Sequence, residues 1–321
     1  MTKKERVKRA IGRQGPDRVP LLFFNRNREA SDIILIDVVR HFTGPGENQS
    51  EWGFTWERRD DTMGQSHAPL IRSWRDFVHF DFPDPGDQTR FRQVNETMNR
   101  FGDRYYIASL VLTGFTIMTF LRGFAETLED LYIAPAQLSR LADAVFEFEI
   151  DIIRQLKPQG FDAVAFYDDW GDQNNLLISP QKWREFFRPR YERQFRIAHE
   201  QGLQVYFHSC GMVYDIIADL IDIGVDMLNI SQPNLYDIEQ LGEKFGGATC
   251  FVCPVSYQTT SIHGDRSDIC AEAKRLINNL GCHNGGFIGY VEAYESIGLS
   301  EDNYQHCIDA FRMYGDYKRN G

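Results

Sequence analysis

The chain has 321 residues, of which 42% are hydrophobic and 25% charged, so it can bury a large core and is not of the disordered class. Its formal net charge of −11 and its pI of about 5.2 argue against nucleic-acid binding, which relies on clustered Lys and Arg. The first residues lack the apolar segment of a secretory signal, and no window approaches the roughly 18 apolar residues of a membrane span. The six cysteines are not spaced like a disulfide scaffold. We therefore expect a soluble cytoplasmic protein with reduced thiols.

The predicted elements begin with a helix that Thr2 caps and that runs to about Arg13. A buried strand over 19–24, a helix over 30–41 and a poorly marked strand near 79–82 follow. From about residue 104 onward, apolar runs of strand length alternate with longer amphipathic helices. The strands predicted there cover 105–112, 163–167, 205–208, 227–230, 249–252 and 287–291. The main helices cover 128–156, with an interruption at Ala134 and Pro135, and 180–200, with Ser179 as the cap.

This alternation of strands and helices predicts parallel strands joined by crossover helices. Eight strands and a chain somewhat longer than roughly 250 residues fit an α/β fold of the (β/α)8 TIM barrel type with an N-terminal helical extension. We expect a single domain over 1–321, in which the N-terminal segment 1–100 caps the barrel. In such barrels the loops after the strands build the active site, so the strand ends are where function is expected.

Polar and aromatic residues follow five of the predicted strands. Their sequences are DDWG (168–171), HSCG (208–211), NISQP (229–233), CPVSYQ (253–258) and YVEAYE (290–295). We predict that Asp168 or Asp169 orients a substrate hydroxyl or acts as an acid or base, although each could instead cap a turn. The predicted substrate-binding residues are the aromatic Tyr167, Trp170, Tyr257 and Tyr290 and the amides Gln173, Asn229 and Gln232.

His208 and Cys210 form a candidate metal half-site at the end of the strand over 205–208. Residues two apart on a strand point to the same face, so their nitrogen and sulfur atoms can bind one ion. Zinc accepts both ligand types and needs one or two further ligands from elsewhere in the fold. The alternative is that Cys210 is a small core residue and His208 a buried, hydrogen-bonded one.

Several segments in the same order along the chain resemble the uroporphyrinogen decarboxylase superfamily, and within it the branch of corrinoid-dependent methyltransferases. They are GPDRVP (15–20), SEWGFTW (50–56), LRGFAETLEDL (121–131), DDWG (168–171), ISP (178–180), FHSCG (207–211) and GGFI (285–288). Uroporphyrinogen decarboxylases themselves carry an arginine-rich segment after the first strand. The corresponding stretch 24–31 has Arg26 and Arg28 without that pattern.

For the methyltransferase branch, the resemblance implies a zinc ion held by the His-x-Cys pair and by a second Cys at the end of the last strand. Here Ala293 occupies the position of that second Cys. Because zinc also accepts carboxylate oxygen, we predict Glu292 or Glu295 as a further ligand, with Cys253 as an alternative donor. Glu292 is also a candidate catalytic residue. The site could instead have lost its metal.

The resemblance implies an enzyme that moves a methyl group from a small methylated donor to the cobalt of a separate corrinoid protein. No corrinoid-binding segment is recognisable in this chain, so a partner protein is expected. Carboxylate ligands favour an oxygen-bound methyl group, as in an aryl methyl ether, over a thiol substrate. The alternatives are a decarboxylase of a small carboxylate or porphyrinogen-like substrate, and a metal-binding accessory protein. The oligomeric state stays open, with a homodimer as one alternative.

Overall fold

Eight parallel strands form the centre of the computed structural model, which describes residues 1–40, 49–57, 65–66 and 68–317. Each strand from β2 to β8 pairs with its predecessor or successor in the chain, and β8 pairs with β1. The predicted (β/α)8 barrel is therefore confirmed. The strands are β1 Leu21–Phe23, β2 Ile33–Asp37, β3 Tyr105–Ser109, β4 Ala163–Tyr167, β5 Gln204–Ser209, β6 Met227–Ile230, β7 Cys250–Cys253 and β8 Phe287–Val291.

Side chains rather than a strand ladder close the barrel between β1 and β2. The backbone N–H of Leu21 donates to the carboxylate of Asp32 at 2.9 Å, and the N–H of Phe23 donates to the hydroxyl of Ser31 at 3.0 Å. Arg6 of the N-terminal helix binds the same carboxylate at 2.9 Å. The helical extension is thus fixed to the seam of the barrel.

Thirteen α-helices surround the strands in the described ranges. The first helix is capped by the Thr2 side chain, and Ser179 caps a later one, both as predicted. In this part of the chain, no helix is both long and apolar enough to cross a bilayer. The helices are α1 Lys3–Ile11, α2 Trp74–Phe77, α3 Val94–Phe101, α4 Gly114–Arg122, α5 Phe124–Ile133, α6 Pro135–Leu156, α7 Pro180–Phe186, α8 Arg188–Glu200, α9 Tyr214–Asp222, α10 Ile238–Phe245, α11 Thr260–His263, α12 Arg266–Leu280 and α13 Glu301–Tyr314.

Two predictions in the N-terminal third are wrong. The stretch 30–41, predicted as a helix, contains β2, and the predicted strand near 79–82 is irregular. A strand that is buried on both faces reads as a continuous apolar run, and such a run has no period that separates strand from helix. Phe80 and Phe82 pack against each other edge to face, at 4.9 Å between ring centroids, while Phe80 stays half-buried and Phe82 exposed.

Alternate residues of each strand point into the barrel and form a second core distinct from the one beneath the helices. On β2, Ile33 and Leu35 point inward, whereas Ile34 and Ile36 pack under the helices. The inward positions at the carboxyl ends of the strands are no longer aliphatic. The barrel is therefore closed by hydrocarbon below and presents polar and aromatic groups at its mouth.

Candidate functional site

Three donor atoms of different chemistry converge at the carboxyl ends of β4 and β5. The imidazole nitrogen, the thiol sulfur and a carboxylate oxygen of His208, Cys210 and Asp169 all lie within 4.8 Å of one another. The Nε2 atom of His208 is 3.6 Å from the sulfur of Cys210 and 3.6 Å from Oδ1 of Asp169. The side chain of Asp169 is 48% exposed and that of His208 is 16% exposed, so the cluster opens toward solvent.

Backbone contacts hold the loops after β4 and β5 against each other. The N–H of Cys210 donates to Oδ1 of Asp169 at 2.8 Å, which brings the carboxylate to the His-x-Cys pair. Gly211 has a φ of 77°, and a Cβ there would overlap the carbonyl group of Gly171. Only glycine allows this close approach of the two loops. Its N–H donates to the amide oxygen of Gln232 at 2.6 Å, which fixes the loop from the other side.

Asn229 determines which nitrogen of His208 faces the cluster. Its amide nitrogen donates to the carbonyl of Val252 at 2.6 Å, so its Oδ1 is turned toward Nδ1 of His208, at 2.5 Å. Nδ1 must then carry a proton, so Nε2 is the nitrogen that faces the cluster and can bind an ion once its own proton is displaced. The Tyr167 ring lies 4.8 Å from the imidazole ring and restricts its orientation. Metal-binding histidines typically have their other ring nitrogen held by a hydrogen bond in this way.

The electrostatics of the cluster favour a cation. Burial lowers the pKa of His208, but the hydrogen bond and charge of Cys210, with Asp169 and Asn229, outweigh it and raise that pKa to about 9. Nitrogen, sulfur and carboxylate oxygen are the ligand types that zinc uses. The donor atoms of His208, Cys210 and Asp169 therefore fit a zinc ion.

The other predicted metal ligands lie outside this cluster. Glu292 points into the mouth and accepts a hydrogen bond from the hydroxyl of Tyr290 at 2.6 Å. Burial raises its pKa, although hydrogen bonds from Tyr290 and Tyr294 and the charge of His208 lower it. Glu295 is exposed and pairs with Arg26 at 3.0 Å. Cys253 is fully buried, and this burial raises the pKa of its thiol.

Asp168 is not at the mouth, because it lies on the opposite face of the chain from Asp169. It is fully buried and accepts hydrogen bonds from the N–H groups of Phe115 and Thr116 at 2.9 and 2.8 Å. The hydroxyl of Tyr191 also donates to it. Its carboxylate thus caps the N-terminus of α4. Burial is the main cause that raises its pKa, to about 7, while these hydrogen bonds lower it.

The remaining predicted substrate-binding residues are divided between the mouth and the packed interior. Trp170 is fully buried, stacked on Phe115 at 4.4 Å between ring centroids, so it does not line the mouth. Tyr257 is partly exposed and stacks on Tyr294 at 4.3 Å. Tyr290 is buried beneath Glu292, and Gln173 is exposed on the loop after β4. Asn229 and Gln232 are buried and position other residues of the site.

Asp37 is a mouth residue that the sequence analysis missed. It follows the inward Ile33 and Leu35 on β2, so its carboxylate also points inward, where it is paired in register with Ser109 of β3. Burial raises its pKa, although a hydrogen bond from Ser109 and the charge of Arg28 lower it. The available signal was an acid directly after the apolar run 33–36, and the wrong helix prediction over 30–41 concealed its place at a strand end.

Glu149 of α6 is a second buried carboxyl behind the mouth and leads to a prediction about stability. It accepts a hydrogen bond from the N–H of Gly114 at 2.7 Å, and burial raises its pKa from 4.5 to about 8, although hydrogen bonds from Gly114 and Gln194 lower it. A raised folded-state pKa means that its contribution to stability is fully present below pH 4.5 and is lost as the pH rises through about 8.

We expect Glu149→Gln to remove this part of the pH dependence, which amounts to at most about 1.4 kcal/mol per pH unit. Urea unfolding of both proteins across this pH range measures it. Glu147→Gln is the matched control, because Glu147 lies on the same helix but is partly exposed and paired with Arg193. An equal pH slope in wild type and Glu149→Gln would contradict the assignment.

One family model and several solved structures are similar to this chain. The family described as Uroporphyrinogen decarboxylase (URO-D) matches residues 51–314. A methyltransferase from Methanosarcina mazei superposes with a TM-score of 0.73 at 14% identity, over 98% of this chain and 99% of that chain. The D-psicose 3-epimerase of Clostridium cellulolyticum H10 has a TM-score of 0.46 at 9% identity, over 70% of this chain and 83% of that one. A xylanase from Gloeophyllum trabeum has a TM-score of 0.42 at 12% identity, over 68% and 79%.

A comparison with curated proteins gave no match. The structural likeness at 14% identity concerns the fold, which extends over nearly the whole of both chains. The family match covers most of this chain, including the loops after β4 and β5 that carry the His208 cluster. The chain therefore belongs to the uroporphyrinogen decarboxylase family.

Proposed function

We propose that the protein is a zinc-dependent methyltransferase that moves a methyl group from a small methylated donor to the cobalt of a separate corrinoid protein. The convergence of His208, Cys210 and Asp169 at the barrel mouth carries this proposal. The likeness in fold to a methyltransferase supports it. We propose an aryl methyl ether as the donor, so that the reaction is an O-demethylation in the cytoplasm.

The proposed reaction is a displacement at the methyl carbon. The bond between the methyl carbon and the ether oxygen breaks, and its electron pair stays on the oxygen. The reduced cobalt of the partner supplies the electron pair of the new bond to carbon. A zinc ion held by His208, Cys210 and Asp169 would stabilise the negative charge on the leaving oxygen. A phenol, with an ordinary pKa of about 10, needs less of this help than an aliphatic alcohol.

The residues around the cluster supply orientation and a proton. Asn229 and Tyr167 hold the imidazole of His208 in one tautomer and one orientation. Glu292 lies close enough to His208 for their charges to interact, and burial raises its pKa. A carboxylate with a raised pKa can take up a proton from solvent as charge develops on the leaving oxygen, and pass it to that oxygen. The demethylated product is thereby released as a neutral phenol.

Decarboxylation is the second candidate, and the family match is the observation in its favour. The arginines of the stretch 24–31 do not support a polycarboxylate substrate. Arg26 is held by Glu295 and Glu301 at 3.0 and 2.6 Å, and Arg28 donates to the carbonyl of Leu35 at 2.7 Å. Both guanidinium groups are thus occupied by the protein itself.

The experiment that tests the function mixes the zinc-loaded protein with chemically reduced free cobalamin and a panel of methoxylated aromatics. We expect the absorbance of methylcobalamin to appear together with the corresponding phenol in equal amounts. Carbon dioxide release from carboxylate substrates without cobalamin would favour the decarboxylase instead. No zinc in the purified or reconstituted protein would contradict the metal site.

A further inference from the structure

Three carboxylates lie at the barrel mouth near His208. Asp169 belongs to the candidate metal cluster, Asp37 reaches inward from β2, and Glu292 reaches inward from the end of β8. The charges of both Asp37 and Glu292 act on Tyr167, whose ring packs on the imidazole of His208. The three acids therefore lie near one another at the barrel mouth rather than on separate surfaces.

Few positive groups balance these acids within the described ranges. A bound zinc ion would be balanced by the Cys210 thiolate and the Asp169 carboxylate, which leaves Asp37 and Glu292. The positive group acting on Asp37 is Arg28, which lies in the seam between β1 and β2 and donates to the Leu35 carbonyl at 2.7 Å. The positive group acting on Glu292 is His208.

The environment of the two acids makes a further negative charge costly. Glu292 is half-buried and Asp37 is exposed at the end of β2, although the surroundings of both raise their pKa. Water therefore screens their charges only in part, and a like charge placed about 4 Å away costs about 1–4 kcal/mol. A substrate carboxylate at this mouth would meet that cost, whereas a neutral ring would not.

Aromatic side chains at the mouth provide a surface on which a neutral aromatic substrate can pack. Tyr257 and Tyr294 stack at 4.3 Å between centroids, and both are partly exposed. Phe24, which is 38% exposed, packs against Tyr290 at 5.9 Å. Flat apolar molecules gain from such contacts without any charge of their own.

We infer that the mouth selects methyl donors without a negative charge, and that Asp37 and Glu292 determine this selection. The inference rests on the proposed function and narrows its substrate class to neutral methoxyarenes, such as methoxyphenols, in preference to methoxybenzoates. Asp37 and Glu292 are thus specificity-determining residues.

Two probes of nearly equal shape test the inference: 4-methoxybenzamide, which is neutral, and 4-methoxybenzoate, which is an anion at neutral pH. Their dissociation constants are measured by titration calorimetry, with and without zinc and in the absence of any corrinoid. We expect the benzamide to bind at least about tenfold more tightly. Binding is read without turnover, so the result does not depend on whether methyl transfer occurs.

Variants that remove one negative charge test whether Asp37 and Glu292 cause the preference for the neutral probe. Asp37→Asn and Glu292→Gln should each bring the two dissociation constants closer together, and the double variant should bring them within about twofold. Glu295→Gln is the matched control, because it removes the same charge from the same loop at an exposed position paired with Arg26. We expect this control to keep the wild-type ratio.

The binding results test the charge selection independently of the proposed methyl transfer. Equal or tighter binding of the benzoate by the wild type would overturn the charge selection, even if methylcobalamin forms from either compound. Saturable binding of neither probe would overturn it as well. If the benzamide binds more tightly but no donor methylates cobalamin, the selection stands and the proposed methyl transfer fails.

Discussion

The His208→Ala protein is expected to bind no stoichiometric zinc and to transfer no methyl group. His208 supplies the nitrogen of the cluster, and Asn229 turns its Nε2 toward Cys210 and Asp169. Loss of a residue that orients a metal-binding histidine typically weakens metal binding 10–100-fold, so loss of the ligand itself should cost more than about 100-fold. Elemental analysis and the cobalamin assay measure the two effects.

The control for this prediction is His306→Ala. His306 lies on α13 on the outside of the barrel, where it contacts Asn303 of the same helix. We expect that variant to keep both zinc and activity. A His208→Ala protein that is folded by circular dichroism and still holds one equivalent of zinc would rule out the metal centre.

Asp168→Ala and Asp169→Ala are expected to change different properties although the two residues are adjacent. The first should lower stability, and the second should lower zinc affinity. Removing the Asp168 carboxylate leaves the N–H groups of Phe115 and Thr116 and the hydroxyl of Tyr191 without their acceptor in a fully buried position. Loss of a helix cap together with unsatisfied buried donors should lower the free energy of unfolding by about 2–4 kcal/mol. Urea unfolding of the zinc-free protein measures it.

Asp169→Ala should instead change that free energy by less than about 1 kcal/mol, because half of the side chain is exposed. Its effect is expected on zinc affinity, since it supplies the oxygen of the cluster. Asp168→Asn is the conservative control, because an amide oxygen still accepts two of the hydrogen bonds. The assignment of roles fails if Asp168→Ala is as stable as the wild type, or if Asp169→Ala binds zinc as tightly.

In the proposed site, metal chemistry and substrate charge would be set by different strands. The loops after β4 and β5 would provide the metal ligands, and the strand ends of β2 and β8 would provide the acids near the substrate. A change in one does not require a change in the other.

The sequence alone determined the barrel and the proximity of His208 and Cys210 at one strand end. Regular alternation of apolar strands and amphipathic helices after residue 104 predicts parallel strands. Each helix returns the chain to the edge where the previous strand began, so the next strand runs in the same direction. His208 and Cys210 were found because the two-residue repeat of a strand is a local property that no distant contact alters. The cap residues Thr2 and Ser179 were predictable for the same reason, since a cap bonds to the next turn of its own chain.

Only the tertiary structure decided which acids belong to the site. Asp169 joins the cluster because the N–H of Cys210, 41 residues away, binds its carboxylate, and Glu295 leaves it because Arg26 holds that side chain outside. Asp37 was hidden because a strand buried on both faces carries no periodic signal. The positions of the candidate ligands relative to one another depend on how the strand ends are arranged. Contacts between residues far apart in the chain determine that arrangement, and local sequence patterns do not.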